Sequence, residues 1–290
     1  MKQLVLLGTP IDFDAPADDH YLETMASTGP IDLLPVLRAC CHPQDNVIDV
    51  GANIGVTAVL SGLLVNPGRV IAIEPVPETF GHLQDNVNRS GLPNVDCVMA
   101  AAAAEKGEVT LVAHTGWNCT AFVGFEGSSD RYESYEEYAV QALTLDSIVA
   151  DQDLHDINFI KIDVEGYELD VLRGAEMTLA DSRPIVFLEV NHYCLNVLRR
   201  TSIVDFIEDI LDRFPFVFAI DTSFEFLDLK DVSTHDTFYQ EHVVRERFPN
   251  LLCGFEPSLV ATVEALWKDD RATSSDGSAA GPAPLGHEAD

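Results

Sequence analysis

The stretch Val47-Ile-Asp-Val-Gly-Ala-Asn-Ile-Gly55 decides how this chain is read. An apolar strand runs into Asp49, Gly51, Asn53 and Gly55, and a second apolar strand, Val70-Ile-Ala-Ile-Glu-Pro75, ends in Glu74. Glycines let a loop pass close to a ligand, and an acidic residue about 20 positions later, at the next strand tip, can accept both hydroxyls of a ribose. The pairing points to a nucleoside-containing cofactor in an α/β domain. The loop is not the G-x-G-x-x-G dinucleotide fingerprint, because Asn53 stands at the middle glycine and the spacing after it differs. It suits a smaller contact, such as the amino-acid end of a sulfonium nucleoside. The competing reading is a plain strand–turn–helix that needs glycine only for its bend, and Glu74 argues against it.

Working outward, the apolar pattern predicts a helix over 31–41 that ends at His42-Pro43, strands at 47–50, 70–73 and 95–99, and helices after Asn53 and around 78–89. This βαβαβ order, with nearly continuous apolar strands, calls for a mostly parallel sheet covered by helices on both faces. Further strands are expected at 108–113, 159–163, 184–190 and 216–220, with helices at 167–180 and 203–214. The polar, Gly-rich and aromatic segment 114–139 reads as a long loop or insertion of the kind that covers sites. Residues 271–290 are rich in Ser, Gly, Ala and Pro and are expected to be a disordered tail.

Phe159-Ile-Lys-Ile-Asp-Val-Glu-Gly166 carries the second constellation. Alternation along a strand places Asp163 and Glu165 on one face, at the carboxyl end of the sheet, where open α/β folds bind ligands. Two plainer roles compete: Asp163 as the internal ion-pair partner of Lys161, and Glu165-Gly166 as the start of the next helix. Leu188-Glu-Val-Asn-His192 brings Glu189 and His192 to the same rim. A carboxylate and an imidazole there can deprotonate a hydroxyl, or Asp163 and Glu189 could share a divalent ion. His20, His42, His82, His155, His235, His242 and His287 read as structural or solvated, while His114 opens the expected lid. Tyr132, Tyr135 and Tyr138 recur at helical spacing and read as a packed helix face. The six cysteines show no C-x-x-C pair or zinc spacing and are expected to be reduced. No serine elbow and no phosphate-cradling Gly-Lys-Ser/Thr loop is present.

Together these blocks resemble the FkbM family of S-adenosylmethionine-dependent methyltransferases over roughly Asn46 to His192. The marks are Ile48–Gly55, Val70–Pro75, Asn86-Val-Asn88, Gly107–Thr110, Thr144-Leu-Asp146, Ile160–Gly166, Glu168, Leu172–Ala175 and Leu188-Glu189. The resemblance implies a class I methyltransferase (Rossmann-like) α/β fold with a seven-stranded, mostly parallel sheet. It implies the methionine end of S-adenosylmethionine at Asp49, Gly51, Asn53 and Gly55, the ribose at Glu74 and the adenine near Met99 and Ala101. Residues 1–45 would be an N-terminal extension and 46–270 the methyltransferase domain. The implied activity is methylation of a hydroxyl on a sugar or natural product, with Asp163, Glu189 and His192 as catalytic candidates. A non-catalytic cofactor-binding scaffold and a nicotinamide-dependent oxidoreductase are the other classes. One departure stands out: Ala102-Ala-Ala104 replaces the Leu-Gly-Asp-like turn that similar proteins carry after the third strand. Acceptor identity, O against N as the methylated atom, and oligomeric state stay open.

Composition narrows the partners. The 290 residues carry 48 acidic and 17 basic side chains, a net charge of −31, and only five of the basic residues are lysine. Such a surface repels phosphate backbones and anionic membranes, so nucleic acid is not an expected partner. No apolar run reaches the ~20 residues that span a bilayer. Leu4-Val-Leu-Leu7 is too short for a signal sequence, so a cytoplasmic protein is expected. The charge fits either a salt-rich cytoplasm, where screening permits dense surface carboxylates, or an ordinary acidic protein. Unfolding followed against KCl separates the two: a midpoint that climbs into molar salt marks the first, and an unchanged midpoint the second.

Overall fold

The computed structural model describes residues 1–16, 21–28, 33–114, 117–124 and 135–274. The chain opens with an antiparallel hairpin, β1 (Lys2–Leu6) and β2 (Thr9–Phe13), whose alternating Leu4, Leu6, Ile11 and Phe13 point into the core. Two short helices follow, α1 (Tyr21–Thr28) and α2 (Leu33–Cys40). The expected βαβαβ run is then β3 (Asn46–Val50), α3 (Val56–Leu64), β4 (Val70–Ile73), α4 (Pro77–Ser90) and β5 (Val95–Val98). Gly91, in the left-handed region at φ 69°, ends α4.

Four strands come next: β6 (Ala101–Ala102), β7 (Gly107–His114), β8 (Trp117–Val123) and β9 (Tyr135–Leu143). After α5 (Leu145–Asp151) the main sheet resumes with β10 (Ile157–Ile162), α6 (Glu168–Arg173), α7 (Glu176–Ser182) and β11 (Ile185–Glu189). A π-helical turn at Cys194–Leu198 leads into α8 (Ile203–Arg213), β12 (Phe216–Ile220) and β13 (Phe226–Asp228). The chain closes with α9 (His235–Arg245), β14 (Asn250–Gly254) and α10 (Ser258–Ser274).

The main sheet has the order β13-β12-β14-β11-β10-β3-β4-β5. Strands β5, β4, β3, β10 and β11 pair in parallel, and β14 runs antiparallel between β11 and β12. The fold class is the expected class I methyltransferase fold, but with eight strands in the sheet instead of seven. The eighth, β13, is a three-residue edge strand folded back onto β12. Asp221 makes that turn by accepting the amides of Ser223 and Glu225 on Oδ1, at 2.8 and 2.9 Å. The sequence reads as hairpin-like material after Phe216–Ile220, and three residues are too few to fix the strand itself by periodicity.

The segment 114–139, read as a long loop or insertion, carries strands among its described residues. Strands β8 and β9 belong to a second sheet of order β6-β9-β7-β8. The signal was there in β9, where Glu137, Ala139 and Gln141 face out while Tyr138, Val140 and Ala142 turn inward. That period of two also replaces the helical spacing read into Tyr135 and Tyr138. Tyr132, residues 115–116 and 125–134, His20, His287 and the tail beyond Ser274 lie outside the described residues.

Asn86, fully buried on α4, ties the N-terminal hairpin to the rest. Its Oδ1 accepts the amide of Asp14 at 2.8 Å, and its Nδ2 donates to the carbonyls of Asp14 and Ile54, each at 2.8 Å. Asn86→Ala leaves those groups without partners, and chemical denaturation should show a loss of about 1–3 kcal/mol.

Candidate active site

A cleft of about 320 Å³ opens at the carboxyl ends of β3, β4, β10 and β11. Leu111 of β7 and Ala121 and Val123 of β8 wall one side, and Tyr21 of α1 contributes from the N-terminal segment. The floor is the G-x-N-x-G loop. Gly51 sits at φ +75°, and a Cβ there would lie 1.8 Å from the carbonyl oxygen of Asp163. Only glycine lets the tips of β3 and β10 approach this closely. The amides of Gly51 and Ala52 both donate to the carbonyl of Ile73, at 3.0 Å. Asn53, itself at φ +50°, donates its amide to Glu74 Oε2 at 3.0 Å, and Val76 donates to Glu74 Oε1 at 2.9 Å. The loop and the tip of β4 are thus locked to each other through the Glu74 carboxylate. Glu74 is 6% exposed. Burial pushes its pKa up to about 7, against the pull of the two amides and of Lys161, with Asp49 adding to the rise.

Beneath the loop, Lys161 meets three acceptors: Asp49 Oδ1 at 3.1 Å, Asp163 Oδ2 at 3.3 Å and the Gly51 carbonyl at 3.1 Å. Burial alone would lower the lysine pKa, but the two carboxylates override it and hold the ammonium charged. Asp49 also accepts a hydrogen bond from the Thr57 hydroxyl. Asp163 therefore has both roles that its position allowed. It is the ion-pair partner of Lys161, and its side chain, 42% exposed, still faces the cleft.

The far wall is acidic. Glu165, at φ +52°, accepts from Asn191 Nδ2 at 3.2 Å and from the Cys194 thiol at 2.9 Å. Burial raises its pKa, the thiol hydrogen bond lowers it and Asp163 raises it again. Glu189 is held well above the ordinary carboxylate range by burial first, then by Asp163, Glu165 and Glu168. Glu168, fully buried, accepts the amides of Val164 and Gly166 on Oε1 and so shapes the turn after β10, while its Oε2 has no hydrogen-bond partner. Among the described residues, no three His, Cys, Asp or Glu side chains gather in a way that would hold a metal ion. Asp163 and Glu189 alone, one of them already paired to Lys161, do not fit a metal site.

The profile of the methyltransferase FkbM domain matches residues 49–217, more than half of the chain. The chain belongs to the FkbM methyltransferase family. It is 29% identical over 164 residues to the hexuronic acid methyltransferase AglP of Haloferax volcanii, covering 56% of this chain and 63% of that protein. It is 24% identical over 149 residues to Methyltransferase 1 of Beauveria bassiana, covering 46% and 60%. The chain thus spans about three fifths of the length of these curated relatives. An O-methyltransferase from Bacillus cereus solved with SAH superposes at a TM-score of 0.42 with 14% identity, over 79% of this chain and 81% of that one.

Within this FkbM-family cleft, six of the cofactor and catalytic candidates named from the sequence line the space, Gly51, Asn53, Glu74, Ala101, Asp163 and Glu189, together with Lys161 and Glu165. Asp49 lies one layer below them, against Lys161 and Thr57. Gly55 sits at the start of α3 at φ +92°, where a Cβ would press on Leu83 at 2.6 Å. Met99 is 51% exposed and does not line the cleft. His192 does not line it either: its Nδ1 lies 2.7 Å from Asn196 Nδ2, and its ring stands edge-on to buried His242 at 6.2 Å. The sequence reading missed Tyr21 and Tyr167 as lining residues and Glu168 as the residue that shapes the turn.

Glu168 is raised to about 7 chiefly by burial, with its amide hydrogen bonds opposing. Near pH 5 it is neutral in the folded chain but already ionised in the unfolded one, whose ordinary value is 4.5. Its contribution to stability is therefore full below that value and is lost as pH rises through about 7. Melts of wild type and Glu168→Gln across this range should show the balance moving toward the variant as pH rises, by about 3 kcal/mol at most.

Proposed function

We propose that this protein is an S-adenosylmethionine-dependent O-methyltransferase that modifies a hydroxyl on a sugar or related natural product. The observation that carries the reading is one cleft holding the Gly51–Asn53 loop, the locked Glu74 and the carboxyl groups Asp163 and Glu189 on four neighbouring strand tips. Bound S-adenosylmethionine would supply a methyl group activated by the adjoining sulfonium charge.

In this reading the residues divide the work. Gly51 and Asn53 leave room for the amino-acid end of the cofactor. Glu74 accepts hydrogen bonds from the ribose hydroxyls on the lone pairs that its two amide partners leave open. Ala100, Ala101 and Ala102 with Leu111 offer an apolar surface to the base, which suits the alanine run that departs from the family's polar turn. Glu189 takes the proton of the acceptor hydroxyl. Its place at the tip of β11 in the cleft lining carries the assignment, since a general base must first lie within reach of the hydroxyl. Asp163, fixed by Lys161, orients the hydroxyl for in-line attack, and most of the acceleration comes from that positioning. His192 is a weaker candidate because it stands outside the cleft lining. The printed name of the Haloferax volcanii relative, a hexuronic acid methyltransferase, supports a sugar-type acceptor.

Calorimetry with S-adenosylmethionine and S-adenosylhomocysteine tests the reading, and absence of saturable binding by the folded protein would overturn it. The ribose contact favours the ionised form of Glu74. Affinity should therefore rise as pH passes upward through about 7, with proton release on binding below that pH. Glu74→Gln should flatten this dependence and weaken binding by roughly 10- to 100-fold, the worth of charged hydrogen bonds. Asp163→Asn should leave cofactor affinity within a few-fold and cut methyl transfer to a hydroxylated acceptor by at least about a hundredfold. Turnover near the wild-type rate would refute the role given to Asp163.

A further inference from the structure

Tyr21 is the only residue lining the cleft among those described that comes from the chain before β3. It begins α1, a helix that the family match at 49–217 leaves out. The helix is held in place on two sides. Leu22, its next residue, is buried in the same core as Leu4, Leu6, Ile11 and Phe13 of the hairpin, and Glu23 pairs with Lys2 of β1 at 3.0 Å. The hairpin is in turn fastened by Asn86, whose amide also holds the carbonyl of Ile54 in the cofactor loop. A continuous path of packing and hydrogen bonds therefore fixes Tyr21 relative to the floor of the site. At the inner end of that path Tyr21 lines the same cleft as Lys161, the ammonium that ties Asp49 to Asp163.

A tyrosine at this place can do what the strand tips cannot. The β3, β4 and β10 tips offer Gly51, Ala52, Asn53, Glu74 and Asp163 with the aliphatic Val50, Ile73 and Val164, and Tyr167 beyond β10 already stacks with the Arg199 guanidinium at 4.4 Å. The strand-tip residues themselves supply no aromatic face to exclude water from the ion pair beneath. An aromatic ring gives a large rigid surface at little cost in conformational freedom, and a face attractive to cations. We propose that Tyr21 is a positioning residue of the cofactor site: the N-terminal helix lays its ring over the Lys161–Asp163 end of the cleft and presses the methyl donor against the glycine loop. The hairpin and α1 are then part of the site's wall, not an appendage to it. This inference rests on the cofactor reading above.

Two measurements test it. The first compares S-adenosylhomocysteine affinity by calorimetry in wild type, Tyr21→Phe and Tyr21→Ala, with thermal melts of all three. Wild type and Tyr21→Phe should agree within about threefold, while Tyr21→Ala binds at least about tenfold more weakly with an unchanged melting point, as expected for loss of one buried aromatic contact. A residue that merely supported the fold would move the melting point instead. The second uses the wild type alone, so it does not depend on a variant folding. Adding S-adenosylhomocysteine should slow amide exchange in 21–28 as well as in 51–55. Equal affinity in a folded Tyr21→Ala, or protection confined to the glycine loop, would overturn the role of Tyr21 while leaving the cofactor reading intact. Failure of the wild type to bind at all would overturn both.

Discussion

The ammonium of Lys161 is the constraint on which the site depends. It sits under two strand tips, ion-paired to Asp49 and Asp163 and donating to the Gly51 carbonyl. Asp49 is 1% exposed, so without that cation it would be an uncompensated buried charge, and such groups are strongly destabilising. The contact also explains why position 51 is glycine. Pulling the Gly51 carbonyl toward Lys161 brings its Cα against the Asp163 carbonyl, and any side chain would collide. One ion-pair knot thus sets the separation of β3 from β10, the conformation of the loop between β3 and α3, and the direction in which Asp163 points.

From that knot the electrostatics of the cleft follow. Lys161 is committed, so the other acidic groups around it have no cation of their own among the lining residues. Glu74 and Glu168 answer by hydrogen bonding to backbone amides and still rise to about 7, because amide dipoles do not fully replace lost hydration. Glu189 has less help. Its Oε2 has no hydrogen-bond partner, and three like-charged neighbours add to its burial. The result is a graded set of carboxyl groups in one small space. One is ion-paired to the lysine, and others are raised by burial without a cation beside them. Pushing the proton affinities of neighbouring groups apart is how a site obtains an acid or a base from chemically similar side chains.

The parts of this fold that could be read from the sequence are those that physics writes locally. Continuous apolar runs gave β3, β4, β10 and β11 because both sheet faces are covered, and the Asp-Pro-Gly-Asn punctuation between them fell where helices end. Glu74 could be placed because a strand tip and its spacing from a glycine loop are both sequence quantities. What escaped depended on distance in the chain. Tyr21 lies 140 residues before Lys161 and belongs to a short helix with no motif around it. Strand β13 has three residues and is held by an aspartate turn. Strands β8 and β9 hid in a segment whose glycines and aromatics suggested a loop, although the alternation from Glu137 to Ala142 was visible. His192 stands apart from the cleft lining for a different reason. Its strand does end at the rim, but the chain then turns into a π-helical turn at Cys194–Leu198, and the imidazole follows that turn toward Asn196 and His242.

Asn86 shows how such distant pieces are made to cooperate. A buried primary amide has few ways to be satisfied, and here Oδ1 accepts the Asp14 amide after the hairpin while Nδ2 donates both to the Asp14 carbonyl and to the Ile54 carbonyl in the glycine loop. Because these bonds leave one rigid helix, α4, a displacement of the hairpin is felt at the loop. Residue 86 also lies on the helix that follows Glu74 and Val76, so the Glu74 carboxylate, the glycine loop and the N-terminal hairpin share a single mechanical support. Buried polar networks of this kind fix one arrangement among many that hydrophobic packing alone would permit. The site is therefore assembled from segments before and after β3 because a side chain with no catalytic chemistry of its own leaves them only one way to meet.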